Sequence, residues 1–306
     1  MKIMNAALMA FCGLGLAACA VVADPVQLAD RFARVGDSSE PVKLAYRDEG
    51  KGQPMLLIHG FGANLYTWRR IEPKLAARHR VISIDLKGFG GSEKPFDEKY
   101  SLFDQADLVA NFIEQQDLND LTVVGHSFGG GVALALALDK RPALRGRIKR
   151  LVLIDTIAYP QKIPIFLKAL RTPVVAQVGT TVTPPYVQAQ TALKLAYYDD
   201  TKISFEDISA YAQPLATPAG KHALIQTARH MDPENFTPMI QHYGTIEQPA
   251  LILWCAEDKV VPIRVGRELH SALPNSTLQV FRDCGHLPHE EKSQQSADAI
   301  LSFLNR

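Results

Sequence analysis

Short apolar runs alternate with longer amphipathic segments along the chain from about residue 42 onward. The short runs predict strands, and runs that are apolar throughout are typical of strands buried on both faces. The predicted strands are residues 42–47, 54–58, 81–84, 121–124, 151–154, 251–254 and 278–281, and the predicted helices include residues 103–116, 131–139 and 293–304. Each parallel step in a sheet needs a crossover, which such helices provide. The pattern therefore predicts an α/β fold with a mostly parallel, doubly wound sheet and helices on both faces.

Residues 159–244 interrupt this alternation. They contain no strand-like apolar run, but they contain several helical patterns separated by nine prolines. The strand pattern resumes afterwards, and those later strands need the earlier ones as partners. We therefore predict an inserted helical lid over residues 159–244 and a core formed by residues 41–158 and 245–306, in preference to an independent linker domain.

The first residues have the features of an export signal. A lysine precedes an apolar run that is too short and too rich in small residues for a comfortable membrane-spanning helix. The run ends in Leu-Ala-Ala-Cys at residues 16–19, which resembles the lipobox of bacterial lipoproteins. That resemblance implies a signal peptide over residues 1–18, lipidation of Cys19 as a membrane anchor, and a tether over residues 19–40.

Two alternatives to lipidation remain open, namely cleavage after Ala23, which gives a soluble periplasmic or secreted protein, and an uncleaved anchor. If Cys19 is lipidated, Ala20 follows it where retention in the inner membrane would favour aspartate, so the resemblance implies the outer membrane. Export places unpaired thiols in an oxidising compartment. Cys255 ends one predicted strand and Cys284 follows the next, so a disulfide between parallel neighbours is one hypothesis, and buried free thiols are the other.

The charge balance argues against a polyanionic partner. The chain has 33 lysines and arginines against 32 aspartates and glutamates, so it has no net field that would attract nucleic acid. Its densest basic stretch, residues 140–150, lies between a helix pattern and a strand pattern and is interpreted as a solvated connection. We expect a small-molecule substrate and no nucleic-acid partner.

The strongest chemical signal follows the predicted strand 121–124. Residues 125–131 read Gly-His-Ser-Phe-Gly-Gly-Gly and lead into a helix. A serine hydroxyl becomes a useful nucleophile only where a base can reach it, and a sharp turn between strand and helix presents the hydroxyl clear of its neighbours. Glycines at positions 125 and 129 leave room for that turn. Ser127 is therefore the candidate nucleophile.

With this motif in place, residues 41–306 resemble the α/β-hydrolase superfamily. Two more loops carry the resemblance: His-Gly-Phe-Gly at residues 59–62 and Asp-Leu-Lys-Gly-Phe-Gly-Gly-Ser at residues 85–92. The first implies an oxyanion hole formed by the backbone N–H groups of Phe61 and Phe128. Asp85 is interpreted as a structural acceptor for loop amides, and His59 as a histidine that stabilises its own loop.

The resemblance also implies the other two members of a catalytic triad. Asp258 precedes a Lys-Val-Val-Pro segment that is similar to the family's acid loop, while Glu257 does not fit that place. Asp155, at the end of the strand 151–154, is the second candidate for the acid. His286, in Gly-His-Leu-Pro, fits the place of the base, and the order Ser127, Asp258, His286 is the one this fold uses. His289 is expected to be exposed or to face the lid.

These residues imply hydrolysis of a carboxylic ester through an acyl-enzyme, without cofactor or metal. Serine as nucleophile disfavours dehalogenases and epoxide hydrolases, which use aspartate there. The aromatic residues of the predicted lid can form its own small core or line an apolar pocket, and from the second role we infer a bias toward an uncharged, moderately apolar acyl group. Hydrolysis of a carbon–carbon bond in a vinylogous diketone is the main alternative, beside a cofactor-free perhydrolase and a lipoprotein that keeps the fold only as a non-catalytic binding module.

Overall fold

An eight-stranded sheet forms the centre of the protein in the computed structural model. The structure describes residues 29–144, 146–162, 164–231 and 236–305, so the predicted signal peptide and Cys19 lie outside the described residues. The strands are β1 Arg31–Val35, β2 Val42–Glu49, β3 Pro54–Ile58, β4 Arg80–Ile84, β5 Leu121–His126, β6 Ile148–Ile154, β7 Ala250–Cys255 and β8 Ser276–Phe281. Their order in the sheet is β1-β2-β4-β3-β5-β6-β7-β8, and every pair from β4 onward in that order is parallel. The predicted α/β fold class is confirmed.

Helices cover both faces of the sheet because its central strands are apolar on both sides. In β3, Leu56 and Ile58 join the core cluster on one face, and Met55 and Leu57 join the cluster on the other. The helices of the sheet region are α1 Glu72–Ala76, α2 Leu102–Gln115, α3 Phe128–Leu138, α10 Ile263–Ala272, α11 Pro288–Glu291 and α12 Ser293–Leu304. Helices α2, α3 and α10 contribute to the first cluster, and α1 and α12 contribute to the second. All of these helices therefore have an apolar face against the sheet.

Between β6 and β7 the described residues form helices and turns. The helices are α4 Ile165–Arg171, α5 Pro173–Val182, α6 Pro185–Ala196, α7 Phe205–Ala212, α8 Pro218–His230 and α9 Thr237–Ile240. Proline occupies the first turn of several of them, where its missing N–H costs no hydrogen bond. Helices α6 and α7 share a small apolar core with Tyr66 and Leu287 from the sheet region. No helix of the described ranges is long and apolar enough to cross a bilayer.

The edge of the sheet differs from the sequence prediction. Residues 19–40 were expected to form a tether, but Arg31–Val35 is strand β1 and pairs antiparallel with β2. Ala33 and Val35 point into the core, while Arg31, Phe32 and Arg34 are exposed. The alternation is short and includes charged residues, which is why the sequence did not separate it from a polar tether. The predicted tether therefore extends too far at its C-terminal end.

A buried carboxylate joins the inserted helices to the sheet region. Glu290 of α11 accepts hydrogen bonds from the hydroxyls of Tyr197 and Tyr211, which belong to the inserted segment, and from Thr67. Arg69 lies 2.8 Å from Glu290 and also pairs with Asp207 of α7. Burial alone raises the pKa of Glu290, but the charge of Arg69 and the hydrogen bonds outweigh burial and lower it. The carboxylate is therefore ionised and fully partnered, as a buried charge must be.

Candidate active site

The serine of the glycine-rich motif lies in a strained turn between β5 and α3. Ser127 has φ 52° and ψ −114°, a region that side-chain-bearing residues rarely adopt. The turn brings Gly129 against the backbone of β3, where a Cβ would lie 2.2 Å from the carbonyl oxygen of Ile58. Only glycine permits this approach, so the sequence motif and the strained geometry have one cause. Ser127 itself is only 6% exposed.

The three predicted triad residues come together at the carboxyl ends of parallel strands, where open α/β sheets form their sites. Oγ of Ser127 lies 2.9 Å from Nε2 of His286. Nδ1 of the same ring lies 2.7 Å from Oδ2 of Asp258. The loops after β5, β7 and β8 supply the three side chains. This contact chain can pass a proton from the hydroxyl to the imidazole while the carboxylate orients the ring.

Asp258 is fixed by its own loop. Its second oxygen, Oδ1, accepts hydrogen bonds from the backbone N–H groups of Val260 and Val261, at 2.7 and 2.9 Å. These bonds leave Oδ2 for the histidine. Glu257, the neighbouring carboxylate, instead accepts a bond from the N–H of Cys284, so it does not share this role.

Asp155 lies beside this pair but plays a different part. It follows β6 with a φ of 40°, and its Oδ1 accepts the N–H of Cys255 at 3.0 Å. One oxygen of Asp155, one of Asp258 and a ring nitrogen of His286 lie within 4.8 Å of one another. Burial, and then the charge of Asp258, raise the pKa of Asp155 well above its usual range. The geometry thus makes Asp258 the partner of the imidazole, and Asp155 is a buried neighbour whose neutral form is favoured.

A disulfide connects the loops that carry the acid and the base. Cys255, at the end of β7, is bonded to Cys284, which follows β8, and both cysteines are fully buried. Asp258 lies three residues after the first cysteine and His286 two residues after the second. The structure thus contains the pairing that the sequence left open. The bond holds two loops of the site at a fixed separation.

Replacing both cysteines by alanine is expected to destabilise the protein by about 3 kcal/mol, because the bond closes a loop with a sequence separation of 29 residues in the unfolded chain. Thermal unfolding with and without reductant measures this effect. The wild type should lose stability in reductant, while the double variant should not respond to it. Equal unfolding temperatures for the wild type and the double variant, both measured without reductant, would contradict the prediction.

The expected oxyanion donors flank Ser127. Phe128 is the first residue of α3, where backbone N–H groups have no partner within the helix. On the other side, a Cβ on Gly60 would lie 3.1 Å from Cβ of Ser127, so the turn that leads into Phe61 passes directly beside the serine. Backbone donors in such a position are fixed before reaction and stabilise a developing negative charge.

Three further histidines, His59, His126 and His289, lie near the site. The position of His289 contradicts its prediction. His289 was expected to be exposed or to face the lid, but it is completely buried, with Nε2 2.7 Å from Oγ1 of Thr67. Its ring contacts that of His126, which in turn lies 4.8 Å from the ring of His286. Burial lowers the pKa of His289 to about 3 and that of His126 well below its usual value. The rings of His126 and His289 are therefore neutral and pack behind His286, the predicted base.

His59 and Asp85 have the structural places expected of them. Nε2 of His59 accepts the N–H of Leu86, and burial lowers the pKa of this histidine to about 4. Asp85 accepts the N–H groups of Leu65 and Gly91, both at 2.7 Å, and burial raises its pKa to about 6. The two residues join the loops after β3 and β4.

Among the described residues, one group of side chains is close enough to hold a metal ion, and it consists of Asp155, Asp258 and His286. Nδ1 of His286 already contacts Asp258, so a metal ion at that nitrogen would replace the hydrogen bond that orients the imidazole. The group therefore consists of two members of the triad, Asp258 and His286, and their neighbour Asp155.

Sequence reasoning missed the ring contacts of His126 and the hydrogen bonds of Glu290. His126 lies inside the glycine-rich motif, and Glu290 follows the predicted base by four residues. Their partners come from distant parts of the chain, such as His286 for the first and Tyr197 for the second. The sequence signal for His126 and Glu290 was that both are titratable residues in or beside loops that already carried the predicted nucleophile and base.

Comparison with known proteins agrees with this architecture. The family model described as alpha/beta hydrolase fold matches residues 53–293. A 2-hydroxymuconate semialdehyde hydrolase of a Pseudomonas species is 27% identical over 86% of this chain and 90% of that protein. Two solved structures each cover 90% of this chain and 98% of their own, with a TM-score of 0.75. They are a meta-cleavage product hydrolase of Pseudomonas fluorescens, 25% identical, and a thermophilic esterase of Thermogutta terrifontis, 26% identical.

Proposed function

Because the chain belongs to the alpha/beta hydrolase fold family, we propose that it is a serine hydrolase that cleaves a carboxylic ester of a small to medium, largely apolar acyl group. The observation that carries the proposal is the contact chain from Oγ of Ser127 through His286 to Asp258. A serine in a strained turn with both neighbours in hydrogen-bond range has the arrangement of an activated nucleophile.

In the proposed reaction, Ser127 attacks the acyl carbonyl while Nε2 of His286 takes the hydroxyl proton. The N–H groups of Phe61 and Phe128 bind the oxygen that becomes negative, and each such donor contributes about 10²- to 10³-fold to the rate. Protonated His286 then gives its proton to the leaving alcohol, which departs and leaves an acyl-enzyme. Water repeats the same steps and releases the acid. Asp258 holds the imidazole in the required tautomer throughout.

The side chains near the oxyanion turn support an apolar acyl group. The ring of Phe61 is half-buried against Phe89, and Leu224 of α8 faces Gly62 in the same turn. In contrast, Tyr197 and Tyr211 direct their hydroxyls to Glu290 and belong to the attachment of the inserted helices. The apolar surface available to a substrate therefore comes from α8 and the first loop.

Hydrolysis of a carbon–carbon bond is the second candidate function. It is favoured by two relatives, the 2-hydroxymuconate semialdehyde hydrolase and the meta-cleavage product hydrolase, whose names state that activity or its substrate. The esterase from Thermogutta terrifontis has the same TM-score and nearly the same identity. Ester hydrolysis and carbon–carbon bond hydrolysis are therefore compared directly in one experiment.

A panel of p-nitrophenyl esters of increasing acyl length, run beside a vinylogous dienone substrate, tests the proposal. We expect kcat/KM to rise about threefold to fivefold with each added methylene until the acyl site is full. A fluorophosphonate probe should label Ser127 and stop turnover. If the dienone were turned over more than about tenfold faster than any ester, the protein would be a carbon–carbon bond hydrolase instead. If the probe did not label Ser127, the protein would be a non-catalytic binding module.

We also propose that the protein is exported and anchored to the outer membrane through Cys19. The disulfide between Cys255 and Cys284 supports an oxidising compartment. Changing Cys19 to alanine is expected to abolish incorporation of a labelled fatty acid, because the acyl chain is attached through the thiol. Metabolic labelling measures this. Labelling of the Cys19→Ala variant at the wild-type level would refute the anchor, and Ala23→Ser, which keeps Cys19, is the matched control.

A further inference from the structure

Helix α5 directs its larger apolar side chains toward solvent. Its exposed apolar residues are Val174, Val175, Val178 and Val182, with exposures between 50% and 74%. At 3.6 residues per turn, these four positions fall within about 100° of the helix surface. The buried positions of the same helix, Ala176 and Thr180, have small side chains and lie on the other side. A surface helix of a protein that is surrounded by water has the opposite distribution.

The neighbouring helix extends the apolar area. Helix α4 packs against α5, and its first residue, Ile165, is 85% exposed. We call Ile165 and the four exposed valines the lid face. Contiguous exposed apolar surface of this kind marks a site of interaction with another surface.

The charge around the lid face shows which surface fits. No aspartate or glutamate occurs between Asp155 and Asp199, whereas the same stretch contains four basic residues. These are Lys162, Lys168, Arg171 and Lys194. The whole chain has almost equal numbers of both signs, so this segment is a local exception. A second copy of the chain placed on this face would bring basic residues against basic residues, which disfavours self-association.

We propose that the lid face binds the surface of an anionic lipid bilayer. The valines lie at the boundary between headgroups and acyl chains, while Lys162 and Lys168, both exposed, lie level with the phosphates. An apolar helix face flanked by basic residues is the composition of a helix that lies in the membrane interface. The inference concerns binding alone and does not depend on the proposed ester hydrolysis.

Hydrogen exchange of the full-length Cys19→Ala protein, with and without vesicles of phosphatidylglycerol and phosphatidylcholine, tests the proposal. The acyl chain is absent from this protein, and the apolar run before position 19 is common to all the variants compared, so differences among them measure the contribution of the lid face. We expect slower exchange in residues 165–182 when vesicles are present, and weaker binding as salt or the fraction of neutral lipid increases. Changing Val174, Val178 and Val182 together to serine should weaken vesicle binding about tenfold.

Matched variants separate the lid face from general effects. Val280→Ser removes an exposed valine from β8, and Lys51→Gln removes an exposed lysine far from the inserted segment, so both should bind vesicles like the parent. Lys168→Gln should weaken binding. The triple serine variant should keep the parent's circular dichroism and unfolding temperature, which shows that it is folded whichever activity the protein has.

Three results would overturn the proposal. The first is unchanged exchange of residues 165–182 when vesicles are added. The second is equal vesicle binding by the triple serine variant and by Val280→Ser. The third is slow hydrogen exchange of the lid face without lipid, together with a dimer in sedimentation that the triple serine variant does not form. That result would assign the face to a second copy of the chain.

Discussion

Replacement of Ser127 by alanine is expected to lower kcat/KM for a p-nitrophenyl ester by at least about a thousandfold. The hydroxyl supplies the attacking atom, and no acyl-enzyme forms without it, so only the contribution of binding and of the oxyanion donors is left. The unfolding temperature should change little, because a methyl group occupies part of the same small space. Steady-state kinetics and a fluorophosphonate probe measure the loss on the same protein.

Ser271→Ala is a suitable control for this experiment. Ser271 lies exposed on α10, and its hydroxyl bonds only within its own helix, to the carbonyl of Arg267. This variant should keep full turnover and full labelling. If Ser127→Ala retained more than about a tenth of the wild-type activity, or if the probe still bound to it, the nucleophile would have to be another residue.

The two buried aspartates are expected to respond very differently to replacement by asparagine. Asp258→Asn should lower kcat about 10³- to 10⁴-fold, because the amide neither stabilises the protonated imidazole nor holds its tautomer. Asp155→Asn should stay within about tenfold of wild type, since an amide replaces a carboxyl whose neutral form is favoured by burial and keeps the acceptor for the N–H of Cys255. Kinetics with one ester for both variants decides between them. A larger loss at Asp155 than at Asp258 would reverse the assignment.

The stability of the Asp155 variant carries a second signature. The pKa of Asp155 is raised in the folded state, so its contribution to the free energy of unfolding is fully present below the unfolded value of 3.8 and is lost as pH rises toward the folded pKa. Asparagine does not titrate. The variant should therefore gain stability relative to wild type between pH 4 and pH 8, as urea unfolding at both values measures. A constant difference would show that the pKa of Asp155 is not raised in the folded protein.

The parts of this protein that were predictable from sequence are those that depend on local chemistry. The strand β5, the glycines around Ser127 and the helix that follows occupy consecutive residues, and the same sterics produce both the motif and the turn. Other features depend on partners far away in the chain. His289 is polar and follows a loop, yet contacts with Thr67 and Trp68 bury it. Strand β1 becomes recognisable only beside β2, which supplies its hydrogen bonds.

Backbone strain marks the site more sharply than composition does. Five described non-glycine residues have positive φ, and three of them, Ser127, Asp155 and Asp283, belong to the loops after β5, β6 and β8. Such conformations cost about 1–3 kcal/mol each and persist where surrounding contacts hold them. No sequence pattern indicated the positions at 155 and 283, because strain is a property of the assembled loops.

The contacts of Glu290 attach two of the inserted helices to the sheet region. Moving α6 and α7 away from the sheet would strip this carboxylate of two tyrosine hydroxyls and separate Arg69 from Asp207. These buried contacts would have to break together, so the attached position of α6 and α7 is favoured in the resting protein. The backbone N–H of His286 also bonds to the carbonyl of Ala196 at the end of α6, which fixes the same side to the base itself. Helices α6 and α7 are thus anchored to the same loops that carry the catalytic base.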